Sequence, residues 1–153
     1  MKLTSRARYA LRMMVEIAKN NGDGAVSLGH IAKRTKISRR YLDQLAQGLK
    51  RASLVRGLSG RGGGYQLTRP PEEIQLNDII EAAIGPINIV DCVKQPEVCI
   101  KADLCECRWV YAVINQRIAQ VLEEISLADL ADRNALRSIC ESLESDSTAC
   151  PAR

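Results

Sequence analysis

Apolar residues near the start of the chain recur at intervals of three and four, the spacing that places side chains on one face of an α-helix. Thr4 or Ser5 is suited to cap the first turn of such a helix, and the glycine-rich stretch 20–24 ends it. The predicted inward stripe consists of Ala7, Ala10, Leu11, Met14, Ile17 and Ala18.

Two further helical patterns follow closely, over residues 28–35 and 39–52, with Ser27 and Ser38 as their caps. Because only Lys36 and Ile37 lie between the first helix and the cap of the second, the pair is typical of a helix-turn-helix. Its predicted inner face comprises Ile31, Ala32, Ile37, Leu42, Leu45 and Leu49, and its predicted outer face comprises Arg39, Arg40, Tyr41, Asp43 and Gln44.

The stretch after the second of these helices has the pattern of a β-hairpin. Short strand-like segments at 54–56 and 65–68 flank a loop, 60–64, that is glycine except for Arg61. Glycine lets a backbone approach another surface closely, and arginine offers a planar cationic fork. A hairpin placed directly after a helix-turn-helix is the wing of a winged helix, whose second helix enters the DNA major groove.

The second half of the chain alternates between helical pattern and loop. A helix is predicted over 76–84, followed by an aperiodic loop over 86–104. Helical spacing returns at Trp109 and continues to Ile125, which predicts a long helix that pairs with its copy or packs on its own domain.

We therefore divide the chain into four parts. Residues 1–75 form a winged-helix DNA-binding domain, and 76–107 form a connecting helix and a cysteine-rich loop. Residues 108–133 supply the long dimerisation helix and a short helix over 127–133, for which Ser126 and Asp129 make a capping box. Residues 134–153 are a C-terminal tail that we expect to be partly disordered.

Composition supports one mainly α-helical unit with a winged helix-turn-helix and a long C-terminal dimerisation helix. The 153 residues are 46% hydrophobic and only 3% aromatic, which favours helices packed with aliphatic side chains. We expect a cytoplasmic protein without a membrane partner, because no signal peptide and no run of about 20 apolar residues is present.

Charge is distributed unevenly. Residues 1–75 carry 15 Lys and Arg against 5 Asp and Glu, a net charge of +10, whereas residues 76–153 carry 7 against 13, a net charge of −6. A cationic first half suits a polyanion, and together with the helix pair and the wing it indicates double-stranded DNA.

Four of the six cysteines, Cys92, Cys99, Cys105 and Cys107, fall within sixteen residues. In a reducing compartment such a cluster indicates metal ligands or catalytic thiols more often than disulfides. Thiolates are soft ligands for iron–sulfur clusters or zinc, and these spacings are too wide for a compact zinc knuckle. The other two cysteines, 140 and 150, lie outside this group.

Several short motifs together resemble the iron–sulfur cluster regulators of the IscR type, a family that also includes NsrR, RirA and CymR. They are Met1-Lys2-Leu3-Thr4-Ser5, Tyr41-Leu42-Asp43-Gln44-Leu45, Gly62-Gly63-Gly64-Tyr65, the cysteines Cys92, Cys99 and Cys105, and Ser126-Leu127-Ala128-Asp129-Leu130. The resemblance spans residues 1 to 132 and implies a bacterial, homodimeric transcription regulator. It further implies an iron–sulfur cluster on the three loop cysteines, a two-iron (2Fe-2S) cluster being favoured over a four-iron (4Fe-4S) one.

The fourth cluster ligand is where the chain departs from this pattern. The IscR-type histidine position is Arg108, and the acidic position of the nitric-oxide sensor is Arg8; neither side chain can ligate iron. Cys107 is the first substitute, and His30 of the partner subunit is the alternative. A third possibility is an open iron site that holds water or a small thiol.

The resemblance also implies a set of DNA contacts. In the family pattern an arginine stands where this chain has Ser59, so Arg61 is expected to take over its minor-groove role. Gln44 suits an adenine edge, and arginines suit guanine or phosphate. The full predicted set is Lys2, Arg6, Arg8, Ser38, Arg39, Arg40, Tyr41, Gln44, Arg56, Ser59 and Arg61.

The sequence thus predicts a DNA-binding repressor whose operator affinity depends on a cluster that senses iron–sulfur status, redox state or nitric oxide. One alternative is a cluster-free regulator controlled by thiols or a partner protein, resembling CymR. Another is a zinc-stabilised DNA-binding protein. An enzyme acting on a small-molecule substrate is disfavoured, because the chain has no C-x-x-C motif and no nucleotide-binding glycine loop.

Overall fold

A computed structural model describes residues 3–20, 22, 24–101 and 104–144, with the side chains of 142–144 excepted. The described chain is mainly helical and has a single two-stranded sheet. Its helices and strands are α1 Ser5–Ala18, α2 Leu28–Thr35, α3 Arg39–Arg51, β1 Val55–Leu58, β2 Gly64–Leu67, α4 Leu76–Ile84, α5 Glu106–Glu124, α6 Leu127–Ala131 and α7 Arg133–Glu144.

The first three helices begin where the sequence predicts. The side chains of Thr4, Ser27 and Ser38 each accept a hydrogen bond from the backbone N–H three residues later, at 3.2, 3.2 and 3.3 Å. Each cap satisfies an amide that would otherwise lack a partner at a helix start. Lys36 adopts the left-handed conformation, with φ of 59°, and so ends α2 before the turn into α3.

The hydrophobic core is built around α1, on which α2, α3, α4 and α6 all pack. The buried face of α1 is shifted from the predicted stripe: Met13 is fully buried, while Leu11 and Ala18 are only partly buried. The largest fully buried side chains are Met13, Met14, Ile17, Ile31, Leu42, Leu45, Leu49, Leu54, Ile74, Ile79, Ile80 and Leu127.

The predicted wing is present as an antiparallel hairpin that runs from Val55 paired with Leu67 to Leu58 paired with Gly64. Its root is extended by Val26, which exchanges backbone hydrogen bonds of 2.8 and 2.9 Å with Tyr65. This pairing anchors the wing to the segment that leads into α2.

The chain after α5 returns to the core. The amide of Leu76 donates to the carbonyl of Ile125 at 3.0 Å, and the amide of Leu127 donates to that of Ile74 at 2.7 Å. Leu127 is completely buried there. The predicted capping box is also present, with the hydroxyl of Ser126 donating to the carboxylate of Asp129 at 2.6 Å.

The segment that follows differs from the prediction. The short helix α6 ends at Ala131, and a further helix, α7, occupies residues that we assigned to the tail. Asp132 accepts a hydrogen bond from the amide of Asn134 at 2.8 Å, and Arg137 pairs with Glu141 one turn later at 2.8 Å. Both interactions favour a helix at its start and along its exposed face. The part of the tail beyond 144, including Cys150, lies outside the described residues, as does Lys2.

Candidate DNA-binding face and cysteine loop

Helix α3 has one buried and one exposed face. Leu42, Leu45 and Leu49 are buried in the core, so the opposite face remains free to meet a ligand. Exposed on α3 are Arg39, Arg40, Asp43 and Gln44, as predicted, and also Gln47, Lys50 and Arg51, which were not among the predicted outer-face residues. Gln47 follows Gln44 by three residues, a spacing that alone could have identified it.

Tyr41 differs from its prediction as an outward-facing contact. It is partly buried, and its ring meets that of Tyr9 in α1 edge to face, with centroids 5.7 Å apart and planes at 87°. The guanidinium of Arg12 lies 5.8 Å from the centre of the Tyr9 ring. Tyr41 therefore helps to fix α3 on α1, a role that no local sequence pattern reveals.

The wing carries its polar side chains on the outside. Arg56 on β1 donates to the amide oxygen of Gln66 on β2 at 3.0 Å, which ties the two strands together. Ser59 and Arg61 at the tip are exposed. Arg61 forms no hydrogen bond or ion pair with the described residues, so its guanidinium is available to a partner.

The root of the wing lies beside α3. Burial raises the pKa of the Tyr65 phenol above its usual value, and the negative charge of Asp43 raises this pKa further. Asp43 is on α3 and Tyr65 is on β2. Helix α3 packs against β1, the strand paired with β2, so the recognition helix and the wing are neighbours.

The basic residues of α1 have local roles that the sequence did not predict. Arg6 is partly buried, and its Nε donates to the carbonyl oxygen of Ala83, at the end of α4, at 2.6 Å. Arg6 therefore bridges two helices, and its phosphate contact stays a prediction. Arg8 stays exposed and donates to the hydroxyl of Ser5 at 3.0 Å.

The four clustered cysteines lie on successive pieces of the loop before α5. Cys92 lies in the 3-10 helix Asp91–Val93, and Cys99 directly follows the 3-10 helix Pro96–Val98. Cys105 is the residue before α5, and Cys107 lies in its first turn. All four have free thiols, the first three partly buried and Cys107 exposed.

These thiols are chemically suited to a soft metal, but the described residues do not assemble a finished site. Among them, no group of three or more His, Cys, Asp or Glu is close enough to share a metal ion. His30, the alternative ligand, is exposed on α2 and lines a cleft of about 290 Å³ with the wing residues Gly62 and Gly63. That position places it beside the DNA-binding elements of its own protomer.

The start of the cysteine loop is attached to α5 by two side chains. The Nε of Arg108 donates to the carbonyl oxygen of Cys92 at 3.0 Å, and the side-chain oxygen of Asn115 accepts from the amide of Ile89 at 3.3 Å. Arg108, which replaces the expected histidine ligand, thus contacts the cysteine segment in a different way.

Helix α5 leaves much of its apolar surface uncovered. Leu122 and Ile125 are the side chains at this end of the helical pattern that pack partly against the hydrophobic core. The exposed apolar side chains of the helix are Trp109, Val110, Val113, Ile114 and Val121, and those of the preceding loop are Val98, Ile100 and Leu104.

A helix-turn-helix with an exposed second helix, followed directly by a wing, defines a winged-helix DNA-binding protein. The family model Rrf2, described as an iron-dependent transcriptional regulator, matches residues 3–133. The chain belongs to this family. This confirms the predicted resemblance and the predicted fold class.

Named relatives agree with this assignment. The chain is 37% identical over 131 residues to the transcriptional regulator CymR of Bacillus subtilis, covering 86% of this chain and 90% of the relative. It is 32% identical over 146 residues to the transcriptional regulator IscR of Sodalis glossinidius, covering 95% and 88% of the two chains. Because both are transcriptional regulators, they support the prediction that this protein is not an enzyme.

Solved structures give the same fold. The structure of CymR, the global cysteine regulator of B. subtilis, matches with a TM-score of 0.71 at 35% identity, covering 86% of this chain and 96% of that one. The structure of IscR from T. potens matches with a TM-score of 0.66 at 29% identity, covering 99% and 94%. None of the described helices combines the length and apolar content needed to cross a bilayer.

Proposed function

We propose that this regulator acts as a repressor whose operator affinity is controlled by an iron–sulfur cluster bound at the cysteine loop. The observation that carries the proposal is the set of three partly buried, free thiols, Cys92, Cys99 and Cys105, on the segment that leads into α5. Thiolates are the usual ligands of such clusters. The family description, an iron-dependent regulator, supports the same chemistry.

Cys107 is the proposed fourth ligand. It is exposed, has a free thiol and follows Cys105 by two residues. His30 is the weaker candidate, because in its own protomer it lies beside the wing. Since the described ligand residues do not converge, binding requires the loop to draw its thiols together. A bound two-iron cluster supplies a centre that oxidation, iron loss or nitric oxide can alter.

We further propose that the protein is a homodimer joined through α5. Trp109 and Val113 are 79% and 58% exposed and lie one helical turn apart, on a stripe that solvent would otherwise cover. Exposed apolar surface of this kind marks an interface. A second copy also suits a helix-turn-helix, because two recognition helices then bind half-sites about one DNA turn apart.

The proposed DNA contacts follow from the exposed faces. Arg39, Arg40 and Gln44 meet base edges or phosphates from α3, and Arg61 enters the minor groove from the wing. Ser38 and Tyr41 at α3, Arg56 and Ser59 on the wing, and Arg8 on α1 position the protein on the DNA backbone.

The test is anaerobic purification followed by iron and sulfide analysis and a visible spectrum. An operator selected from a pool of random duplexes then serves to measure affinity with and without the cluster. We expect Cys92→Ala, Cys99→Ala and Cys105→Ala to lose the cluster, and Cys107→Ala to make it labile. The control is Val98→Ala, an exposed residue next to Cys99 whose side chain has no ligating atom, and this variant should retain the cluster. A colourless, iron-free protein under these conditions refutes cluster control.

The lack of a converged ligand group and the fold shared with CymR favour a second candidate, a cluster-free regulator controlled by its thiols or by a partner protein. In that case the protein binds its operator without metal, and thiol oxidation or the partner changes the affinity. A zinc-stabilised protein is the third outcome, recognised as a colourless sample with stoichiometric zinc.

A further inference from the structure

Two side chains on one face of α5 hold the start of the cysteine loop. Arg108 and Asn115 are seven residues apart, which is two turns of helix and therefore the same side. Arg108 donates to the carbonyl of Cys92 at 3.0 Å, and Asn115 accepts from the amide of Ile89 at 3.3 Å. The two bonds fix the backbone at both ends of a four-residue stretch.

Asn115 is buried, which makes its hydrogen bond to the loop backbone more stabilising than an exposed one. It is 8% exposed and is the one buried polar side chain among the described residues. A buried amide is costly unless it is hydrogen-bonded, so the bond to Ile89 is hard to exchange for water. Arg108 is partly buried and can supply a charge-assisted hydrogen bond to the carbonyl.

The middle of the loop has no comparable attachment in the described residues. The amides of Val98 and Cys99 donate to carbonyls only three residues earlier, at 3.2 and 3.1 Å. Ile100 and Leu104 are 105% and 89% exposed. One thiol is therefore held against α5 while the segment that carries the second is not tied to this helix.

We propose that Arg108 and Asn115 are positioning residues that clamp the Cys92 segment to α5 before any cofactor binds. With Cys92 held from one side and Cys105 attached to the start of α5, the remaining movement needed for ligation belongs to the Cys99 segment. The clamp also means that any change at Cys92 acts directly on α5, the proposed dimer helix. The signalling part of this inference rests on the proposed function; the clamp itself does not.

The clamp is tested in reduced, cluster-free protein by amide hydrogen exchange at single-residue resolution. Asn115→Ala removes the acceptor, and we expect exchange of the Ile89 amide to rise about tenfold or more. Asn115→Asp keeps an acceptor oxygen and should restore most of the protection. Arg108→Met should raise the exchange of the Lys94 and Gln95 amides, which both donate to Asp91 in the clamped turn.

Arg117→Ala is the matched control, since Arg117 lies on the same helix and, among the described residues, its side chain bonds only to Gln120 at 3.5 Å. This variant should leave the amide hydrogen exchange of residues 89–95 unchanged. The clamp is refuted if neither the Arg108 nor the Asn115 variant changes exchange in this segment. It is also refuted if exchange rises equally in α1 and α3, because the side chains then act only on global stability.

The coupling is measured separately, as the ratio of operator dissociation constants with and without cluster. We expect Arg108→Met to reduce this ratio at least threefold while it leaves the cluster-free affinity unchanged. An unchanged ratio with normal cluster content overturns the coupling and leaves the clamp standing. If the wild-type protein binds no cluster, the proposed function fails, yet the exchange result still decides the clamp.

Discussion

The guanidinium Nε of Arg6 lies 2.6 Å from the carbonyl oxygen of Ala83 and so joins the start of α1 to the end of α4. The carbonyls at the end of a helix lack helical partners and carry partial negative charge, so a cation there is favourable. Arg6 therefore supports the fold, although its sequence position suggested a phosphate contact.

We predict that Arg6→Ala lowers the free energy of unfolding by about 1–2 kcal/mol, the range for a partly buried hydrogen bond to a charged group. Urea unfolding measures this change. Arg8→Ala is the control, because Arg8 is exposed and its side chain bonds only to Ser5 within the described part of the chain; the stability of this variant should stay within about 0.5 kcal/mol of wild type. Equal stability of the two variants would show that the Ala83 contact contributes nothing.

Gly64 should be irreplaceable at the root of the wing. A Cβ at this position would collide with the carbonyl of Val26, a backbone atom that is held by its pairing with Tyr65. We expect Gly64→Ala to destabilise the domain by about 1–3 kcal/mol, typical of overpacking, and to weaken operator binding.

Gly57→Ala provides the matched control on the neighbouring strand. A Cβ there would meet only the edge of the Tyr65 ring at 3.9 Å, an ordinary contact. Thermal unfolding and operator titration of both variants make the comparison. If Gly64→Ala behaves like Gly57→Ala, the close approach of the wing to Val26 is wrong.

The acid side of the stability profile should depend on Asp129. Its pKa is lowered by the hydrogen bond from the Ser126 hydroxyl and then by that from the Ser126 amide. A carboxyl group whose pKa is lowered in the folded state stabilises the protein at pH values above its pKa in the unfolded state, about 3.9 for Asp. This stabilisation is lost as the pH falls through the lower pKa of the folded state.

We therefore predict that the wild type loses stability below about pH 4 more steeply than Asp129→Asn, which has no charge to titrate at this position. Denaturant midpoints measured between pH 2 and pH 6 give the two slopes. Glu124→Gln, at an exposed position just before the capping box, should follow the wild-type slope. Parallel profiles for wild type and Asp129→Asn would exclude this linkage.

How well the sequence predicted the structure depends on how local each cause is. The caps at Thr4, Ser27 and Ser38 involve residues only three positions apart, so the helix starts were predictable. The contacts of Arg6 with Ala83 and of Tyr41 with Tyr9 join distant residues. No periodicity encodes such contacts, and both side chains were therefore assigned wholly to DNA.

The cysteine loop shows the same limit at the candidate site. Its extent was predictable, because residues 86–104 lack helical spacing and contain Pro96. The attachment of Cys92 to Arg108 was not, since an arginine at a ligand position indicates only that it cannot ligate. Helix α7 was not predicted. Only Asp132 separates it from α6, and the sequence prediction carried the short helix through this residue to 133 and assigned the rest to the tail.

Two roles are compared for His30: the alternative cluster ligand, as the sequence suggested, and a residue at the edge of the DNA-binding face, as its place beside the wing suggests. It lines the cleft beside Gly62 and Gly63 of the wing, so we predict that His30→Ala leaves iron content and the visible spectrum unchanged. Operator affinity should fall by less than about tenfold, as expected for loss of one contact at the edge of an interface. Loss of the cluster in His30→Ala would reverse this assignment and favour ligation across the dimer.

The proposed dimer requires the exposed apolar side chains of α5 to pack against a second copy. Val113 is 58% exposed in the single chain, so a charge placed there costs the isolated protomer little. Across a packed apolar interface, however, two copies of Val113→Glu would bury unpaired carboxylates, which is strongly unfavourable.

We predict that Val113→Glu is a monomer by sedimentation at micromolar concentration, with its helical content retained. Operator affinity should fall at least a hundredfold, because each head then binds its half-site alone. Gln116→Glu, at an exposed polar position on the same helix, should remain dimeric. A Val113→Glu protein that sediments as a dimer would place the interface elsewhere than on this stripe.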